Sequence, residues 1–165
     1  MKLFGIAGWS GSGKTTLLLR LVPALVRQGI EVATVKHSHH DLAFGDGARR
    51  SLAEAGAVET VTAGPDRWAI VHEHHGAAEP ALAGLVGRLG PVDLVLVEGF
   101  KRSPHPKLEV WDPALGERAL AQDDASVVAI ACDGPPPVTG RPVFDRRAID
   151  DIAGFIVRYC GLDGR

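Results

Sequence analysis

The sequence predicts an α/β fold: a mostly parallel sheet flanked by helices, with an added β-hairpin. Three observations predict it. Short apolar runs at 3–7, 31–37, 92–97 and 126–131 read as buried strands. Segments with helical apolar spacing, at 13–28 and 146–159, stand between and after them. Residues 8–15 read Gly-Trp-Ser-Gly-Ser-Gly-Lys-Thr, a complete G-x-x-x-x-G-K-[ST] phosphate-binding loop set between the first strand and the first helix. Together these predict a P-loop NTPase-type domain.

The elements come in order along the chain. The strand Leu3-Phe4-Gly5-Ile6-Ala7 leads into the loop. The first helix should span 13–28 and stop at Gly29, with Pro23 kinking or breaking it. Residues 31–37 form a second strand, expected beside the first. A polar stretch, 38–46, comes next, then a short helix over 48–55 ended by Gly56. Strands at 58–62 and 68–72 flank the turn Ala63-Gly64-Pro65-Asp66 as a hairpin. Residues 77–89 are a helix candidate weakened by Gly84 and Gly87. The most apolar strand, 92–97, should be central and parallel. Residues 107–111 alternate and read as an edge or hairpin strand. A strand at 126–131 precedes a loop at 133–137. Asp145 is placed to cap the last helix, whose Ile149, Ile152, Phe155 and Ile156 share one face.

At 165 residues the chain reads as one domain, 1–165. Its 18 Lys and Arg against 20 Asp and Glu give a net charge of −2, unlike the strongly basic balance of a general nucleic-acid binder. Cys132 and Cys160 lie far apart without metal-ligand spacing, as free thiols of a reducing compartment would. The N-terminus enters a strand at once, which leaves no room for a signal peptide, and no apolar run is long enough for a membrane helix. These features point to the cytoplasm.

The loop carries the chemistry. Gly8, Gly11 and Gly13 permit backbone shapes that turn N–H groups inward around phosphate. The helix start adds free N–H groups and the positive end of its dipole. Lys14 supplies a full charge to the β- and γ-phosphates, and Thr15 offers a hydroxyl to Mg²⁺. Ser10, Ser12 and Thr16 complete the set of phosphate-lining candidates.

In a parallel sheet with helices on both faces, ligands sit at the carboxyl ends of the strands. Glu98 ends the strand at 92–97 and can hold Mg²⁺ or orient a nucleophile, and Gly99 lets the backbone approach the γ-phosphate. Lys36-His37-Ser38-His39-His40-Asp41 ends the second strand. His37, His39 and His40 can grip an anion beside Lys36 or bind a transition metal, and Asp41 can reach Mg²⁺ or a water near the γ-phosphate. The second histidine cluster, His72, His74 and His75, reads as an exposed strand end. Lys101 and Arg102 are either a phosphate or partner contact or a solvated turn. Asp133 ends the strand at 126–131, where a carboxylate can accept from guanine N1–H and N2–H₂; a plain loop aspartate fits equally, since Asn-Lys-x-Asp is absent.

The ordered set comprising the loop from Gly8 through Leu18, Lys36-His37-Ser38-His39-His40-Asp41, Arg67-Trp68-Ala69 and Leu94-Val95-Leu96-Val97-Glu98-Gly99-Phe100-Lys101 resembles the molybdopterin-guanine dinucleotide biosynthesis protein B family across nearly the whole chain. The resemblance implies a dimeric GTP-binding accessory protein with weak GTPase activity. It would assist a MobA-type molybdopterin guanylyltransferase and molybdopterin-bearing proteins, without catalysing guanylyl transfer itself. Lys14 and Thr15 would then bind phosphates and Mg²⁺, Glu98 would stand near the metal, and 37–41 would line the crevice. The stretch before Ala55-Gly56-Ala57 departs from the family pattern, with Asp46 and Arg49 at shifted spacing. Two other readings of the same residues are a small-molecule kinase with Glu98 or Asp41 as base, and a nucleotide-driven metallochaperone using 37–41. No basic loop reads as a kinase lid, and none supplies an arginine finger, so any hydrolysis should be slow.

Overall fold

The computed structural model describes residues 1–38 and 47–164. They form two compact units, Met1–His37 with Leu82–Arg165, and Ser38–Ala81.

The larger unit holds a six-stranded, all-parallel sheet in the order β2-β5-β1-β6-β7-β8. Its strands are β1 (Lys2–Ala7), β2 (Val32–Lys36), β5 (Leu94–Glu98), β6 (Lys107–Val110), β7 (Val127–Ala131) and the two-residue β8 (Val143–Phe144). Its helices are α1 (Lys14–Arg27), α3 (Leu82–Val86) and α4 (Ile149–Tyr159). The second unit carries α2 (Gly47–Glu54) and an antiparallel hairpin of β3 (Glu59–Ala63) and β4 (Trp68–His72).

β5 shows why the sheet is covered on both faces. Leu94 and Leu96 pack with Phe4, Ile6 and Leu108 against Leu21 and Leu25 of α1 and Ile152 and Ile156 of α4. Val95 and Val97 point the other way, into a smaller cluster with Val35, Leu82, Leu85 and Phe100. Alternate residues of one strand thus serve two cores, which requires the continuous apolar run seen in the sequence.

The elements depart from sequence expectation at five places. β2 pairs with β5, so β5 separates it from β1 and it is not the neighbour of the phosphate-loop strand. Residues 107–111 do not make an edge strand: β6 lies between β1 and β7, fully buried. Its charged residues would suit a solvent face, but each is satisfied inside. Lys107 Nζ donates to the carbonyls of Lys101 and Ser103 at 3.2 and 2.7 Å, to Asp124 at 3.0 Å and to Ser126 Oγ at 2.6 Å. Glu109 accepts from the amides of Leu120 and Ala121 at 2.7 and 2.8 Å. Burial pushes the Glu109 pKa up, opposed by those two amides.

The helix expected at 77–89 is only Leu82–Val86, because Pro80 disfavours helix before it and Gly84 and Gly87 weaken the later turns. Helix α1 runs unbroken through Pro23, whose ring faces solvent while Leu21, Ala24 and Leu25 around it are buried. Asp145 does not cap α4. Its carboxylate accepts from the Arg147 amide at 2.7 Å in the turn before the helix, and Ala148 takes the N-cap position.

Candidate functional site

The phosphate loop begins where β1 ends. Gly8 has φ 141, and a Cβ there would lie 2.4 Å from the Val110 carbonyl oxygen of β6. Only glycine lets the chain turn that close to the neighbouring strand. Gly11 and Gly13 have φ of 80 and 95, and Gly13 caps α1 in the left-handed conformation with no side chain on the first amides. Ser12 is 1% exposed, and its Oγ has no hydrogen-bond partner. A buried hydroxyl left unpaired in a loop of this shape fits an anion-binding cradle. Lys14 Nζ donates to the loop's own Trp9 carbonyl at 2.7 Å. Burial lowers the Lys14 pKa; Glu98 counters this, while Lys101 and Lys36 add to it.

Parallel pairing aligns the tips of β5 and β2 with that of β1. Glu98 is opposite Ile6 on one side and Lys36 on the other. Thr15 Oγ1 donates to Glu98 Oε1 at 2.7 Å, so the end of the loop and the tip of β5 meet directly. Lys36 Nζ lies 3.1 Å from Thr15 Oγ1 and 3.2 Å from Glu98 Oε1. Gly99 has φ 90, and a Cβ there would come within 3.0 Å of the His37 Cβ. The His37 amide donates to the Glu98 carbonyl at 2.9 Å, and its ring packs at a tilt against Phe100 with centroids 4.9 Å apart. Lys14, Thr15, Glu98, Gly99 and His37, all singled out from sequence, thus converge. Ser10 is exposed in the loop, and Thr16 lies exposed in the first turn of α1. His39, His40, Asp41 and Asp46 lie outside the described residues.

Asp133 stands elsewhere on the same edge, beyond β7. Arg146 Nη2 binds its Oδ2 at 2.6 Å. That hydrogen bond is the main cause holding the Asp133 carboxyl below the usual range. Arg146 Nη1 reaches the Ser12 carbonyl and Asp112 Oδ2, each at 3.3 Å. Sequence reading treats this arginine only as part of the basic loop pair Arg146-Arg147, which makes no kinase lid; nothing in its spacing discloses contact with residue 12. Lys101, read from sequence as either a phosphate or partner contact or part of a solvated turn, lies against the loop. Its Nζ sits 3.8 Å from the centroid of the Trp9 ring, a cation–π contact inside the phosphate loop.

In the second unit, His72 pairs with Glu59 at 3.0 Å and stacks edge-on with His74 at 5.7 Å, an exposed strand end as expected. Among the described residues no group of His, Cys, Asp and Glu has the arrangement of a metal centre, and no helix is long and apolar enough to cross a membrane. Cys132 and Cys160 are free and buried.

A family model for molybdopterin guanine dinucleotide synthesis protein B, MobB, matches residues 3–133, from the first strand to Asp133. The chain belongs to the MobB family. It is 36% identical over 162 residues to the molybdopterin-guanine dinucleotide biosynthesis adapter protein of Escherichia coli, covering 95% of this chain and 92% of that one. Against the adapter protein of the same description from Haemophilus influenzae the identity is 37%, over 95% and 88% of the two chains. The crystal structure of a MobB homolog from Bacillus stearothermophilus superposes with a TM-score of 0.73 at 27% identity, covering 98% of this chain and 99% of that one. The parallel sheet with flanking helices and the separate small hairpin are therefore the architecture of this family.

Proposed function

We propose that this chain is the GTP-binding adapter of molybdopterin guanine dinucleotide biosynthesis, holding nucleotide for a MobA-type guanylyltransferase that acts on molybdopterin. The observation that carries the nucleotide part is the 2.7 Å contact between Thr15 at the end of the phosphate loop and Glu98 at the tip of β5. Two of its relatives described as adapter proteins are matched over 92% and 88% of their length, which supports the pathway part.

Mg²⁺ fits the pair. A hydroxyl and a carboxylate are the hard oxygen donors it prefers, and the ammonium of Lys36 already rests against both oxygens, so the position favours positive charge. Thr15 and Glu98 would hold the ion, which would neutralise phosphate charge. Lys14 and the loop amides would bind and orient the phosphates. Hydrolysis would be slow, under about one turnover per second without a partner, because the sequence offers neither an arginine finger nor a water-orienting glutamine. Asp133 remains the candidate for the guanine edge.

A homodimer belongs to the same reading. On the hairpin, Val61 pairs across from Ile70 and Ala63 from Trp68, so these four side chains share one face. Val61, Trp68 and Ile70 are each at least half exposed, at 61%, 70% and 50%, an apolar surface suited to a second copy.

The test is a calorimetric titration with GTP, ATP and molybdopterin, each with and without the guanylyltransferase. GTP should bind in the presence of Mg²⁺ and bind more tightly than ATP. Lys14→Ala should abolish binding. Survival of GTP affinity within about threefold in that variant would defeat the reading, since a lysine–phosphate contact is worth more than that.

A further inference from the structure

The geometry points to Lys101 as a second phosphate-binding cation of this site, parked on the Trp9 indole and directed to the terminal phosphate of a bound nucleoside triphosphate. This rests on the nucleotide-binding reading above.

Three independent features place it. First, among the described residues positive charge outweighs negative around Lys14. Lys36 and Lys101 both act on it, and the one described carboxylate that counters them is Glu98. Lys101 enters no ion pair among the described residues; its ammonium rests on an aromatic face instead. Three ammonium groups gathered around one carboxylate repel unless an anion joins them, and a polyphosphate supplies that anion.

Second, the backbone that carries Lys101 is strained. Phe100, directly before it, has φ 44, a left-handed conformation that a bulky side chain resists. Gly99 has φ 90 and turns the chain sharply off β5, right after Glu98. The strain therefore lies in Phe100, and the Gly99–Phe100 pair swings Lys101 from the strand tip back toward the loop.

Third, that turn is pinned from inside. The fully buried Lys107 ammonium donates to the carbonyl of Lys101 itself and to that of Ser103. Asp124 and Ser126 Oγ complete its shell. A buried ammonium is costly unless fully satisfied, and here half of its hydrogen-bond partners belong to the 101–103 turn. The fold thus fixes the backbone of Lys101 while leaving its side chain on a soft, displaceable contact with an aromatic face. A fixed backbone with a movable charged tip suits a residue that closes on a ligand.

The test titrates GTP and GDP, each with Mg²⁺, into wild type, Lys101→Gln, Lys101→Arg and Trp9→Phe. Lys101→Gln should weaken GTP about tenfold and GDP less than about threefold, the size of one charge-assisted phosphate contact. Lys101→Arg should keep GTP affinity near that of wild type. Tryptophan emission should change on GTP binding, and Trp9→Phe should remove the change. Undiminished GTP affinity in Lys101→Gln overturns the inference while leaving the nucleotide reading intact, and so does equal weakening of GTP and GDP. A wild-type protein that binds neither nucleotide overturns both.

Discussion

Lys36 Nζ bridges Thr15 Oγ1 and Glu98 Oε1, at 3.1 and 3.2 Å, across the gap between the phosphate loop and the tip of β5. A cation already sits where two oxygen donors meet. Glu98→Gln keeps the shape of the side chain and removes its charge. GTP affinity measured with Mg²⁺ should fall about tenfold, whereas affinity in EDTA should hardly move. Equal affinities of variant and wild type with Mg²⁺ would remove Glu98 from the metal site.

The Arg146–Asp133 pair gives a second expectation. Arg146 is the main reason the Asp133 carboxyl lies below its ordinary value. Arg146→Met should therefore return that pKa toward about 4. Carboxyl-carbon NMR titration reads this directly, and an unmoved Asp133 would show that the 2.6 Å contact is not maintained in solution.

Stability should depend on the amine inside β6. Lys107→Met removes four hydrogen bonds and leaves Asp124 without its cation. Breaking a buried ion pair costs about 3–5 kcal/mol, and the lower end applies because the Asp124 side chain is 32% exposed. Urea unfolding should show a loss of about 3 kcal/mol. A loss below about 1 kcal/mol would mean that water replaces those partners.

His105 sets a pH dependence. It is 8% exposed with neither ring nitrogen hydrogen-bonded, and a Cβ on Gly5 would lie 2.5 Å from its Nε2. Burial first, and then the charge of Lys107, lower its pKa. The folded protein therefore keeps the ring neutral at a pH where the unfolded chain protonates it. Its contribution is complete above the unfolded value of about 6.5 and is lost as pH falls below that toward the depressed folded value. Stability should decline from about pH 6.5 downward, and His105→Asn should flatten that decline. Parallel pH curves for variant and wild type would assign the slope to other groups.

How much of the fold and site was legible in the sequence varies with the kind of signal. The phosphate loop was, because its glycines, Lys14 and Thr15 act through local backbone shape. Glu98 was, because a carboxylate closing an apolar strand has one natural position in a parallel sheet. The hairpin was, because its turn residues state their own geometry. β6 was not: Lys107 and Glu109 carry the charges of a solvent face, and what makes them internal is a set of partners in the turns on either side, the carbonyls of Lys101 and Ser103 before the strand and groups 11 to 19 residues further along after it. The order of β2 and β5 was not legible either, since both are parallel strands and pairing choice leaves no local mark. The contact of Arg146 with Ser12 was not legible because it spans 134 residues. Local chemistry can be read from a string of residues; long-range satisfaction of charge cannot.

The position of Gly8 against the Val110 carbonyl has a bearing on how the molecule is made. The phosphate loop lies at the start of the chain, but the surface that shapes it is a strand translated about two-thirds of the way along. During synthesis the first strand must wait for both of its flanking strands, β5 and β6, and the loop has nothing to turn against until residue 110 arrives. A nascent chain halted before β6 would contain every letter of the motif and lack the strand against which its first glycine turns.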